Sequence, residues 1–294
     1  MKKLNFIIKC GLALLLLSFY SCESWLNVTP SDRLSEEMLF NDREGFVKAL
    51  NGVYIELNTN ELYGRNLTAG ALDVMGQYYS VASSSHAFYN YGGLVYTGND
   101  EKALFDNMWQ KCYAVIACCN TIIEKCDENK AGLSPVWRGS IKGEALALRA
   151  MLHFDMLRLF GPLTSELDKE SIPYQTNSDQ TVTPLLSGSE VVGLILDDLK
   201  NAVGLLKDTD PYFVEEEFSD TDLNYRRFRM NYFAAKGLMA RVQLWGGDKE
   251  KAAATAKEVI AEGQAEGAEF FPFVTNSEAT SSNPDRVFYS EVLF

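Results

Sequence analysis

The sequence predicts an all-α fold, an α-α superhelix of antiparallel helix pairs joined by long irregular loops. Three observations carry that prediction. In the run Gly143–Pro162, Ala145, Leu148, Leu152, Met156 and Leu159 recur at helical spacing, while Leu146, Ala150, Phe154 and Leu157 make the other sides apolar as well. A helix of that kind must be packed on several sides. A second apolar run, Trp109–Ile123, precedes it, so the two form a hairpin near residues 103–160. A further pair of helical runs, near residues 230–262, is joined at Gly246-Gly247 and has small residues at facing positions.

Taken in order, the chain begins with Lys2, Lys3 and Lys9 around an uncharged run from Cys10 to Leu17, with Ser21 before Cys22. The run is far short of the roughly 20 apolar residues a spanning helix needs. Residues 1–21 therefore read as a lipoprotein signal peptide and Cys22 as the lipidated first residue of the mature chain. Phe19 stands where the usual motif prefers Leu, and ordinary cleavage leaving a free cysteine is the competing reading. Stable anchoring by acyl chains needs more than one, and a bacterial lipoprotein cysteine supplies them.

Loss of three lysines with the signal takes the formal charge from −13 to −16. Nucleic acid is excluded as a partner on that ground, since phosphate binding needs clustered Lys and Arg. With 47% apolar residues, positions 22–294 can bury one sizeable core. Cys112, Cys118, Cys119 and Cys126 all fall on one expected helix with no zinc spacing; Cys112, Cys119 and Cys126 lie along one stripe and read as small buried thiols, with a disulfide to another chain as the alternative. No metal or cofactor motif is present.

Asn41-Asp-Arg-Glu44 reads as a capping box opening an amphipathic helix with Phe46, Leu50, Val53 and Leu57 inward. From Val74 to Asn99 there is no Lys, Arg, Asp or Glu, and Tyr78, Tyr79, Phe88, Tyr89, Tyr91 and Tyr96 are interleaved with Ser and Gly. Long aperiodic loops of this kind are often binding loops. Flat C–H faces of a pyranose stack on aromatic rings, while its hydroxyls take side-chain hydrogen bonds. Tyr78, Tyr79, Tyr89, Tyr91, Tyr96 and Asn99 are therefore the candidate ligand-binding residues, set against the plainer reading that the rings fasten the loop to the helices.

Gly161-Pro162 ends the long helix, Gly161 being free to take a left-handed closing conformation. Arg149 and His153 lie one turn apart on it, and Asp155 and Arg158 can pair. A polar connection with Ile172-Pro173 follows, and Ser187-Gly-Ser-Glu190 is a capping box for a helix through Leu205. Asp208, Asp210, Asp220 and Asp222 lie in an acidic loop without a calcium-binding pattern, which reads as a solvated charge run. After the second hairpin, Val287–Phe294 is a β-prone run.

Two sets of residues carry resemblances. Gly247-Asp248 with Ala252 resembles the turn and second-helix start of a tetratricopeptide repeat. Trp109-x-x-x-Tyr113-x-x-Ile116-x-x-x-Asn120-x-x-Ile123, followed by Gly143-Glu-Ala-x-Ala-Leu-Arg-Ala and Gly161-Pro162, is similar to the helical hairpin of the SusD/RagB family of outer-membrane nutrient-uptake lipoproteins. Trp25-Leu-Asn-Val-Thr-Pro30 resembles that family's mature start, and Ala49-Leu-Asn-Gly-x-Tyr54 its first helix. The resemblance implies a SusD-like fold with tetratricopeptide-like repeats. It also implies a further C-terminal half beyond residue 294, and that residues completing the site lie there.

What the family implies about function is a surface-exposed lipoprotein of the outer membrane, held by its lipid anchor alone. It would bind a glycan or other nutrient and pass it to a SusC-type TonB-dependent transporter. A tetratricopeptide-type adaptor for a peptide or protein is the alternative from another class, although such clamps often use basic concave faces and no basic cluster appears here. Enzymatic chemistry has little support: His86 and His153 have no nucleophile or metal signature beside them, and no carboxylate pair is singled out.

Overall fold

The computed structural model describes residues 36–179, 181–219, 225–264 and 270–294. The signal peptide, Cys22, the family-like start from Trp25 to Pro30, Asp220 and Asp222 lie outside these residues. A short helix, α1 (Glu36–Leu39), leads into α2 (Arg43–Leu57), then two small turns, α3 (Ala71–Met75) and α4 (Tyr89–Gly92). The long hairpin consists of α5 (Asn99–Glu128) and α6 (Pro135–Phe160). A two-stranded antiparallel ribbon, β1 (Glu170–Pro173) and β2 (Leu185–Ser187), pairs Glu170 with Ser187 and Pro173 with Leu185. Helix α7 (Gly188–Thr209), the second hairpin α8 (Tyr232–Trp245) and α9 (Lys249–Gly263), and the short α10 (Asn276–Ala279) complete the order. The all-α class holds, and both hairpins fall where periodicity places them.

Local chemistry explains most boundaries. Ser134 accepts from the Trp137 N–H and Pro135 stands at N1 of α6, where its missing N–H costs nothing. Asn129 closes α5 in a left-handed conformation (φ 44°), and its Oδ1 accepts from the Leu133 N–H at 2.8 Å. Ser187 and Glu190 form the expected capping box on α7, and Asp248 caps α9 after Gly247 (φ 93°).

Three local expectations need correction. The cap of α2 is Asp42, accepting from the Gly45 N–H at 2.8 Å, so the box begun at Asn41 does not form. A Cβ at Gly45 would lie 1.5 Å from the Leu39 carbonyl oxygen, which is why N3 is glycine and no Glu can serve there. Gly161 is extended (φ −85°, ψ −179°) rather than left-handed, because Pro162 restricts the residue before it to extended backbone. Val287–Phe294 forms no strand but a 3-10 turn at Tyr289–Glu291, and among the described residues no strand pairs with it.

Helix α6 is the centre of the core. It is buried from Gly139 to Leu157 almost without a break, and each large apolar side chain there contributes about 1.5–3 kcal/mol. It meets α7 at close range: Cβ atoms at Gly139 and Gly143 would lie 2.6 and 2.7 Å from Thr209 and Leu206. Cys112, Cys119 and Cys126 are buried and Cys118 is exposed, all four as free thiols.

Two buried polar networks tie the irregular segments to this core. In the first, Arg149 forks onto Asp198 (2.7 and 2.7 Å) and donates to Asn120 Oδ1 at 2.8 Å. Asn120 in turn donates to the backbone carbonyls of Gln175 and Asn177, and Tyr174 donates to Asp198 at 2.5 Å. His153 is fully buried and stacked on Tyr174 at 4.0 Å. Its Nδ1 faces the Arg149 carbonyl oxygen (2.9 Å), and its Nε2 accepts the Gln175 N–H (3.0 Å). The connection after α6 is thereby fixed by Arg149 and His153, one turn apart on that helix, together with Asn120 of α5.

The second network surrounds Arg226, which is 1% exposed. It donates from Nε and Nη2 to Asp210 (2.9 and 2.5 Å) and from Nη1 to Glu144. Glu144 also accepts from the Tyr54 hydroxyl (2.7 Å) and Arg229 (3.1 Å). Burial alone would raise the Glu144 carboxyl, but Arg226 and Arg229 hold it below the ordinary range. Asp210 is 0% exposed, so the acidic loop is not wholly a solvated charge run. Its partner stands 16 residues further on, beyond any local pattern. Asp155 and Arg158 pair as expected, and the Tyr63 hydroxyl donates to the same carboxylate at 2.5 Å.

Candidate functional site

The charge-free segment 74–99 is an ordered loop pinned at three places. Gln77, held at φ 63°, donates from Nε2 to the Gly92 carbonyl oxygen at 2.9 Å. This sets the Tyr78 stretch beside the α4 turn that begins at Tyr89. The Tyr78 N–H donates to the Asp73 carbonyl oxygen at 2.9 Å. Asn90 donates to the buried carboxylate of Glu101, on the first turn of α5, at 2.7 Å. A Cβ at Gly98 would lie 1.9 Å from that carboxylate, so glycine is what lets the loop run into α5 here.

The six candidate residues divide by exposure. Tyr78 is 80% exposed, Tyr79 52% and Tyr89 42%, so all three rings present faces to solvent. Tyr91, at 2% exposure, offers no face to a ligand. It packs on Phe88, Tyr96 and Phe105 at 5.9–6.3 Å and forms the floor beneath the others. Burial, and then Glu101 and Asp100, push its hydroxyl up to about 12. Tyr96 is half-buried against Phe105 (5.4 Å), and Asn99 is exposed at the start of α5. For Tyr91 and part of Tyr96 the fastening reading is thus the better description, because a loop without charge or helical period needs its own small apolar core.

A residue outside the charge-free window belongs to the same surface. The Arg65 guanidinium lies over the Phe88 ring, 5.7 Å from its centre. Its one sequence signal is isolation, since no other Lys or Arg occurs between Lys48 and Lys102.

The larger clefts are elsewhere. One of about 450 Å³ is lined by Asp42, Arg43, Glu44, Ser134, Trp137 and Glu217; another, of about 490 Å³, by Lys207, Phe213, Tyr232, Glu262 and Phe270. Among the described residues no group of three or more His, Cys, Asp or Glu is placed to hold a metal ion, and no helix is long and apolar enough to cross a membrane. Both nitrogens of His153 are engaged by backbone, and burial lowers its pKa to about 3, so it offers no proton at neutral pH.

Fold and site together define a helical-repeat scaffold that presents an uncharged aromatic loop. A family model described as "Starch-binding associating with outer membrane" matches residues 24–244, and the chain belongs to this SusD-like family. SusD-like protein P2 of Formosa agariphila is 25% identical over 265 residues, 88% of this chain and 46% of its own length. A SusD-like protein of Bacteroides ovatus is 30% identical over 146 residues, 48% of this chain and 23% of its own. The chain spans less than half the length of the curated relatives it matches.

Among solved structures, a SusD-like carbohydrate binding protein from Bacteroides vulgatus superposes with a TM-score of 0.63 at 23% identity, over 81% of this chain and 47% of that one. A laminarin binding SusD-like protein superposes at 0.59 with 17% identity, over 81% and 48%. At these identities the likeness establishes the fold.

Proposed function

We propose that this chain is the glycan-capturing part of a surface lipoprotein of the outer membrane. On this reading Cys22 carries the lipid anchor, residues 22–294 form the binding unit, and the captured glycan passes to a SusC-type TonB-dependent transporter. The observation that carries the proposal is the exposure of Tyr78, Tyr79 and Tyr89 on a rigidly pinned, charge-free loop. Such rings stack on neutral sugar faces, and preorganisation of the loop spares the entropy of ordering it on binding. Tyr96 and Asn99 stand at its edge. Capture by stacking and hydrogen bonding involves no covalent step.

Affinity electrophoresis of the chain from residue 23, on gels containing plant, microbial or host glycans, tests the proposal. The expected result is retardation by at least one glycan, weakened roughly tenfold by Tyr78→Ala, Tyr79→Ala or Tyr89→Ala, the scale of one aromatic contact. Tyr91→Phe, which keeps the packed ring, leaves retardation intact. Absence of retardation by every glycan, or retardation indifferent to the three alanine variants, overturns the reading. Co-purification of a TonB-dependent barrel from membranes tests the transporter partnership separately.

A further inference from the structure

The turn that precedes the loop directs one cation at it. Arg65 is exposed, and its carbonyl oxygen accepts from the Gly70 N–H at 2.7 Å, so its position is set by a hydrogen-bonded turn. Within the protein its side chain donates only from Nε, to Asn66 Oδ1 at 3.1 Å. Both Nη groups are left without a hydrogen-bond partner among the described residues. By contrast Arg149, Arg158 and Arg226 each hold a carboxylate. Among the described residues Arg65 holds none.

A second donor lies near the Phe88 ring. The His86 ring lies 5.8 Å from Phe88, and its Nδ1 accepts the Phe88 N–H at 3.1 Å. That bond puts the neutral ring's proton on Nε2, an exposed donor. No acid occurs between Val74 and Asn99, and the nearest acid of α5 with a defined partner, Glu101, is committed to Asn90. The surface beside Phe88 thus combines a planar cationic fork with a neutral donor, with Glu101 committed to Asn90 and the exposed Asp100 at the start of α5 the carboxylate a ligand must outcompete. A guanidinium fork matches the two oxygens of a carboxylate or sulfate.

We propose that Arg65, assisted by His86, gives the loop a preference for acidic glycans, in which a sugar stacked on the tyrosines carries a carboxylate or sulfate ester toward Phe88. The proposal rests on the reading of the loop as a sugar-binding surface and adds the class of sugar. The chain's overall negative charge gives an acidic polymer no long-range attraction, so the preference must be local and due to this arginine.

Calorimetry with three oligosaccharides of one backbone, unmodified, uronate-bearing and sulfated, tests this on the wild type, Arg65→Gln, Arg65→Lys and Lys130→Gln. Lys130 is a control, an exposed lysine beyond the far end of α5. The expected result is binding of one acidic form about tenfold tighter than the neutral one at low salt, an advantage that shrinks as salt rises. Arg65→Gln removes the advantage, Arg65→Lys keeps part of it, and Lys130→Gln keeps all of it. Which acidic form leads decides between carboxylate and sulfate. Equal binding of acidic and neutral forms, or an advantage that survives Arg65→Gln, overturns this inference and leaves the sugar-binding reading standing. Failure of all three sugars, and of the wider glycan panel, overturns both.

Discussion

Acidification from about pH 7 to about pH 5 destabilises the fold through His153. The ring is buried as the neutral tautomer, with Nδ1–H donating to the Arg149 carbonyl oxygen and Nε2 accepting the Gln175 N–H. A second proton, on Nε2, would face that N–H. Burial is the main cause that lowers its pKa to about 3, and the neighbouring Arg149 charge acts in the same direction. In the unfolded chain the ring titrates near about 6.5. Below that value the unfolded state binds a proton the native state refuses, so stability falls as pH falls, until the native ring is also protonated near about 3. With these two values the loss between pH 7 and pH 5 is about 2 kcal/mol. Urea denaturation of the chain from residue 23 measures it. With a slope near 3 kcal/mol/M, the midpoint moves down by roughly 0.7 M. His86→Gln keeps this dependence, and His153→Gln, less stable at every pH, loses it. A midpoint that is flat between these pH values, or a dependence that persists in His153→Gln, refutes the reasoning.

Three further outcomes follow from the packing. Arg226→Met strands Asp210 and Glu144 in the interior and costs about 3–5 kcal/mol by the same denaturation assay, and a cycle with Asp210→Leu shows strong coupling. Its acid limb is separate from that of His153: the carboxyl of Glu144 is lowered by its arginines, so its contribution is intact above about pH 4.3 and is lost as pH falls through its native value. Gly143→Val forces side-chain atoms into Leu206 and lowers stability by about 1–3 kcal/mol, whereas the same change at Gly193, where a Cβ meets nothing within 4 Å, costs less. A thiol reagent added to the native chain from residue 23 modifies Cys118 first, slowly because burial and Glu56 raise its pKa, and reaches Cys112, Cys119 and Cys126 only on denaturation.

The helices were legible because their signals are local. Apolar spacing placed both hairpins, and Ser187, Glu190 and Asp248 announced caps that rest on neighbours three residues away. What escaped depended on distant partners. Asp210 belongs to a buried ion network whose cation lies across a loop, and nothing within a helix turn of it separates it from Asp208. Val287–Phe294 has strand-forming residues but pairs with no strand among the described residues, and propensity alone does not make a strand. In the loop, composition identified a segment of neutral rings, yet could not tell Tyr91 from Tyr89 two residues before it. One is packed under Phe88 and the other faces out, a division set by the tethers from Gln77 and Asn90. Arg65 escaped because its turn lies ahead of the charge-free window and meets the loop only in space.

The 30 residues of α5 separate two ends of the molecule that would otherwise look unrelated. Near its last turn, Lys125 holds Glu36 of α1 at 2.9 Å. Its first turn carries Glu101, which holds the tyrosine loop. At 1.5 Å per residue the two points are about 36 Å apart. Since the spacer is a rigid rod rather than a flexible leash, the tyrosine loop sits at a fixed standoff from Glu36. Shortening α5 by whole turns would bring the loop inward in steps, without altering any ring within it.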